Sequence, residues 1–342
     1  MTGLGFPLSV VLAAALLLVP SLAAANDSTG FQGTTGIELS TTDDIRMISE
    51  DLWIGLDEIR VSYVFHNVSN HPVQTLVVFP LPDLDLSQGL TGPNLAFPSA
   101  NQDFLNFRLW VDDRPLAPTL ERRAFHQGQE VTRELEATGA LELVPWKRGG
   151  YDEQAQKISP SALDRLRHAG LILEGEDANT PQWLLRTRYF WQQTFPAGAE
   201  VRIRHAYKAF VGRALLGKAT EVTGRTVVGR ISGDGKKDEG NRYCLDGGTR
   251  RALAAVQSRN PEEAMPFDAA EIEYILTTAR NWRGPIGRFH LTLDKGQPEN
   301  VLSLCWNGLK KTGPTTFEST IANFVPDHDI RLLIFVRAKS RQ

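Results

Sequence analysis

Period-two alternation of apolar and polar side chains is the strongest constraint on what this chain can fold into. In IRVSYVF, Ile59, Val61, Tyr63 and Phe65 alternate with Arg60, Ser62 and Val64, so one set lines the buried face of a strand. After the polar run from His66 to Pro72 the alternation resumes. Val73, Thr75, Val77 and Phe79 point one way, Gln74, Leu76 and Val78 the other, and the whole reads as a hairpin. The return strand is apolar enough to be covered on both faces. Pro80 and Pro82 have no N–H to donate and hold the residues before them extended, so ladder pairing stops there and the strand marks an edge.

The longest alternation predicts a second hairpin, turning at Phe195-Pro196-Ala197-Gly198. Odd positions Thr187, Tyr189, Trp191, Val201, Ile203, His205 and Tyr207 form a mostly apolar face, and even positions Arg186, Arg188, Arg202, Arg204 and Lys208 fall opposite. A register that unites the apolar sets gathers these five cations on one sheet surface, because a slip of one residue would bury charge. Such a surface suits phosphate or carboxylate, and it is the candidate site for an anionic envelope component or a periplasmic protein. The competing expectation is that carboxylates of a neighbouring segment, such as Glu134, Glu136 or Asp164, pack over and neutralise it.

Between these hairpins the period changes. Gly128–Leu143 and Ser159–Glu174 read as short helices, the second with Ser159 as N-cap and Pro160 at the first helical position. Residues 125–180 are thus expected to be a helical insertion beside a sheet. A further helix is expected at Thr249–Ser258. Alternating segments follow at Ile272–Thr278, Phe289–Leu293, Val301–Cys305, Thr315–Ile321 and Ile330–Val336, each bounded by Gly, Pro, Asn or Asp turns. The expected fold class is mainly β, with antiparallel β-sandwich-like sheets and a small helical insertion. The expected division is a leader at 1–25, a β-rich domain at 26–214 that carries the insertion, and a second antiparallel domain at 215–342.

The first residues are different material. Phe6–Val19 is apolar and uncharged, and Pro20, Ser21 and the small residues Ala23–Ala25 follow it. That order predicts a secretory signal peptide cut between Ala25 and Asn26, hence a periplasmic protein with no transmembrane span in the mature chain. The segment lacks an N-terminal Lys or Arg, which leaves an uncleaved anchor as the alternative. Cys244 and Cys305 are the only cysteines. An oxidising compartment favours one disulfide between them, worth about 4 kcal/mol in the chain-entropy view, against two separately buried thiols.

The blocks NDS (Asn26–Ser28), DDIRMISEDLWI (Asp43–Ile54) and VSYVFHNVSNHPVQTLVVFPLPD (Val61–Asp83) resemble the bacterial domain-of-unknown-function family 4424. FPAG (Phe195–Gly198), NWRGPIGRFHLTLDKG (Asn281–Gly296) and TTFESTIANFVPDHDIRLLIF (Thr315–Phe335) extend the likeness over essentially the whole mature chain. The resemblance implies a signal-bearing protein of a Gram-negative envelope. It brings no catalytic residues with it.

The residues themselves offer little chemistry. G-x-S-x-G, H-E-x-x-H, Walker A and G-x-G-x-x-G patterns are absent, so no catalytic residue, cofactor or metal site is expected. His66 and His71 with Asp83 or Asp85 are too few for a metal centre, and SGDGKKDEGN (Ser232–Asn241) has the wrong spacing for an EF-hand. His205 reads as a core histidine. A formal charge of −3 gives no reason to expect nucleic acid as a partner. The preferred expectation is a non-catalytic binding or adapter protein of the envelope. The alternatives are an envelope hydrolase acting on glycan or peptide, and a structural subunit of an envelope complex.

Overall fold

The computed structural model describes residues 26–33, 36–87, 105–144, 150–173, 179–209, 211–215, 243–258 and 267–337. The expected signal peptide and the loop Ser232–Asn241 lie outside the described residues. The chain opens with β1 (Ser28–Gly33), β2 (Gly36–Ser40), β3 (Ile45–Gly55), β4 (Glu58–Asn67), β5 (Val73–Pro80) and the short β6 (Leu84–Asp85). β7 (Arg108–Val111), β8 (Arg114–Leu116), β9 (Thr119–His126) and β10 (Gln129–Glu130) follow. The insertion holds α1 (Thr132–Thr138), α2 (Gly150–Ala155), α3 (Pro160–His168), β11 (Ile172–Leu173) and β12 (Thr180–Pro181). Then come β13 (Leu184–Phe195), β14 (Glu200–Lys208), β15 (Val211–Leu215) and α4 (Gly247–Ser258). The remainder is β16 (Phe267–Tyr274), β17 (Ile286–Asp294), β18 (Val301–Leu304), β19 (Lys310–Lys311), β20 (Thr316–Phe324) and β21 (Ile330–Arg337).

The fold is mainly β, built of antiparallel sheets with few helices. A seven-stranded sheet runs β10-β9-β13-β5-β1-β2, with β6 beside β13. An eight-stranded sheet runs β19-β20-β17-β3-β4-β14-β7-β8, and a four-stranded one runs β15-β16-β21-β18. Aromatic rings join the inner faces of the first two. Phe79 of β5 lies 5.3 Å from Tyr207 of β14, Trp191 of β13 lies 5.5 Å from His205 of β14, and Phe195 of β13 lies 5.9 Å from Phe65 of β4. Each such buried ring contributes about 1.5–3 kcal/mol by leaving water.

The two expected hairpins are corrected by the pairing. β4 belongs to the eight-stranded sheet and β5 to the seven-stranded one, and β13 and β14 divide the same way. Each turn therefore carries the chain across the core from one sheet to the other. Buried Asn67 pins both corners: its Nδ2 donates to the His71 carbonyl at 2.8 Å and the Phe195 carbonyl at 2.9 Å, and its Oδ1 accepts from Ser69. Alternation cannot separate these topologies, because two inward-facing strands look alike whether they lie side by side or face each other.

Nor is β5 an edge. It lies between β1 and β13, and its last pair is Pro80 with Arg188, so the prolines end the strand and not the sheet. The expected boundary at 214/215 does not separate the sheets: β17, β19 and β20 complete the eight-stranded sheet, β17 running parallel to β3.

The helical insertion is present, with shorter helices than expected. α1 stops at Gly139, whose φ of 77° suits a residue without Cβ. α3 begins as its sequence dictates, with Ser159 Oγ accepting from Ala162 N at 3.3 Å and Pro160 in the first turn. Cys244 and Cys305 form a disulfide, with Cα atoms 5.0 Å apart, tying the segment before α4 to the end of β18.

Candidate functional site

The five basic residues do not share a surface. Arg186 and Arg188 lie on the outer face of the seven-stranded sheet, and Arg202, Arg204 and Lys208 on the outer face of the eight-stranded sheet. The premise of a single cationic patch fails because β13 and β14 are in different sheets. The arginines also have acidic neighbours. Arg186 holds Asp83 through Nε and Nη2, the latter at 2.8 Å from Oδ2. Arg188 donates to the Ile37 carbonyl and lies 3.9 Å from Glu121, and its guanidinium pKa is lowered first by burial and then by Arg186. Arg204 pairs with Asp113 at 2.7 Å, and Arg202 lies 3.8 Å from Glu200. The pairing carboxylates thus come from the strands and the turns that join them, not from Glu134, Glu136 or Asp164; Asp164 pairs with Arg167.

Arg186 leads to a groove of about 560 Å³ where β9 and β6 flank β13. The β9–β10 turn forms one wall. Gln127 (φ 48°) and Gly128 (φ 81°) are both left-handed, as a two-residue hairpin with the twist of its strands requires. Phe125 forms the apolar centre, with the Arg186 guanidinium 4.5 Å and that of Arg123 5.3 Å from its ring centroid. His126 Nδ1 donates to the Gln182 carbonyl, which fixes the imidazole in the wall. Asp85, on the opposite side, accepts from Ser87 N at 3.0 Å and Ser87 Oγ at 2.6 Å. The groove therefore offers an aromatic face, amide groups and charges of both signs. It was not foreseen from sequence, because its walls come from three segments joined only by the sheet.

A second cluster is sealed inside. Glu50, Asp27 and His205 have no exposed side-chain surface that reaches solvent. Glu50 Oε2 accepts from Asn26 Nδ2 at 3.1 Å and Oε1 from the Tyr274 hydroxyl at 3.2 Å. Burial pushes the Glu50 carboxyl up to about 8, against the opposing effect of those two hydrogen bonds. Burial also raises Asp27 well above the usual carboxylate range, with the Glu50 charge adding to it. His205 Nε2 lies 3.5 Å from Asp27 Oδ2, and burial holds the imidazole down to about 3, so it is neutral. The expectation of a core histidine is met in position, but among the described residues neither ring nitrogen has a hydrogen-bond partner.

Among the described residues no group of three or more His, Cys, Asp or Glu side chains is arranged to hold a metal ion, and no helix is long and apolar enough to cross a membrane. His66 sits on β4 and His71 in the corner after it.

No curated protein matches this chain. The solved structures include a crystal structure of a candidate nutrient binding protein from Legionella pneumophila, at 15% identity and a TM-score of 0.43, over 92% of this chain and 70% of that one. The family described as Domain of unknown function (DUF4424) matches residues 25–333, nearly the whole length, and the chain belongs to that family.

Proposed function

We propose that this is a secreted, non-catalytic binding protein of the bacterial envelope, and that a protein partner seats in the groove over Phe125. The observation that carries this reading is the groove's composition. An aromatic ring with the guanidiniums of Arg186 and Arg123 4.5 and 5.3 Å from its centroid lies among Gln127, Gln182 and Asp85, so one partner segment can bury an apolar side chain and satisfy its backbone at the same place. Asp27, Glu50 and His205, whose pKa values burial displaces, are enclosed in the core, where no substrate reaches them. That supports binding over the hydrolase reading.

Site-specific photocrosslinking in intact envelopes tests it. A photoreactive side chain at Gln127 is expected to give a discrete adduct that disappears with Phe125→Ala. The same probe at Glu200, on the other sheet, is expected to give none. Equal adducts at both positions, or none at Gln127, would remove the groove as the site.

A further inference from the structure

We propose that hydrolysis of the Ala25–Asn26 bond places a new α-ammonium group inside the fold, as the missing cation of the buried acidic site formed by Asp27 and Glu50. Asn26, Asp27 and Ser28 are fully buried although all three are polar. A built set of partners holds them. Asn26 N donates to Thr278 Oγ1 at 3.2 Å, and that hydroxyl donates back to the Asn26 carbonyl at 2.9 Å. Trp282 Nε1 donates to the Asp27 carbonyl at 2.8 Å, and Asn281 Nδ2 to Ser28 Oγ at 2.7 Å.

What this pocket lacks is positive charge. Among the described residues neither Asp27 nor Glu50 has a Lys or Arg within ion-pair distance. The groups around them are neutral His205 and the hydroxyls of Tyr63, Tyr207 and Tyr274. Among the described residues Asp27 Oδ1, Asp27 Oδ2 and Asn26 Oδ1 are buried acceptors without a hydrogen-bond donor, the nearest ring nitrogen being His205 Nε2 at 3.5 Å from Asp27 Oδ2. Two buried carboxyls and three unmet acceptors are costly unless a cation with several N–H bonds joins them.

An uncut peptide nitrogen at Asn26 cannot be that cation. It is neutral, and its single N–H is spent on Thr278. After the cut, water adds across the bond, its oxygen stays with Ala25 as a carboxylate, and the nitrogen leaves as an amine that takes up the proton. The ammonium keeps the Thr278 contact and gains two donors and a unit charge. It belongs to the residue whose own side-chain amide is 3.1 Å from Glu50. The small-residue run Ala23–Ala25 is the pattern from which a leader-peptidase cut at this bond is expected on separate grounds. Removal of the leader is then not only release but the step that completes the core. This inference does not rest on the groove.

The test uses the full precursor, residues 1–342, expressed and exported in a Gram-negative host. Intact mass is expected to give Asn26 as the first residue. A water-soluble amine-acylating reagent is expected to label that α-amine at least tenfold more slowly in the native protein than in urea. Glu50→Gln is expected to raise the native labelling rate. A Gly inserted between Asn26 and the cut, so that the chain begins one residue earlier, is expected to lower Tm by several degrees. A first residue other than Asn26, native labelling as fast as in urea, or an inserted variant that melts with the parent would each overturn the proposal. The labelling comparison needs no variant, so it stands even if Glu50→Gln fails to fold.

Discussion

The Tyr63 hydroxyl lies 3.0 Å from that of Tyr274, 211 residues further along the chain, and the Tyr274 hydroxyl lies 3.2 Å from Glu50 Oε1. The single Tyr274 hydrogen goes to Glu50, so Tyr63 donates to Tyr274, and a relay of two phenols ends on a buried acid. Tyr274→Phe cuts this relay in its middle and leaves the acid short of a donor. It is expected to lower the free energy of unfolding by about 1–3 kcal/mol, and Tyr63→Phe by less. Urea denaturation with an unchanged slope is the check; equal losses for the two variants would contradict the order of the relay.

His205 makes stability fall in acid. Its unfolded imidazole takes up a proton near the ordinary 6.5, whereas burial keeps the folded one neutral down to about 3. The unfolded state therefore binds the extra proton between these limits, and stability is lost as pH falls through that window. The loss amounts to about 1.4 kcal/mol per pH unit. His205→Phe, in a cage of Phe79, Phe107 and Trp191, is expected to flatten the change between pH 6.5 and 5. Urea titrations of both proteins at those two values measure it.

Asn67 has its amide fully used, donating to two carbonyls and accepting from Ser69 N and Oγ. Asn67→Ala strands the His71 and Phe195 carbonyls and loosens both corners that carry the chain between the sheets. A loss of about 2–4 kcal/mol is expected, larger than for a typical single substitution. Hydrogen exchange is expected to rise at the ends of β4 and β13 together; a rise confined to β4 would mean that the corners are independent.

The arginines are expected to separate by sheet. Arg202 is 64% exposed at the side chain and 3.8 Å from Glu200, so Arg202→Gln is expected to leave Tm unchanged within error. Arg186 is 28% exposed, grips Asp83 and covers Phe125. Arg186→Gln is expected to lower Tm by a few degrees and to reduce the Gln127 crosslink. Parallel melting curves decide the first half, and the adduct yield decides the second.

Strand positions were legible because alternation is local. The expected strands Phe289–Leu293 and Ile330–Val336, marked by apolar parity and the turns around them, fall within β17 and β21. Pairing was not legible, since β13 and β14 satisfy the same parity across a core as they would within a sheet. The acid at Glu50 was readable in principle. The shift in the β3–β4 register between Met47 and Ser49 moves the inward parity from Ile45 and Met47 to Leu52 and Ile54, and Glu50 falls in phase with the latter pair. Asn26 and Asp27 carried no such signal, for polar residues ahead of a first strand ordinarily face water.

The parallel pairing of β3 with β17 gives the chain a schedule. A polypeptide made from its N-terminus forms β3 and β4 early, yet the free side of β3 waits for Ile286–Asp294, after which β20 can join. Until then an apolar strand keeps an open row of N–H and C=O groups. Long-range closure of this kind is slow and leaves the unfinished chain prone to pairing with its neighbours. A holdase that recognises extended strands would be most needed in that interval, and truncations ending before residue 286 are the ones that would aggregate.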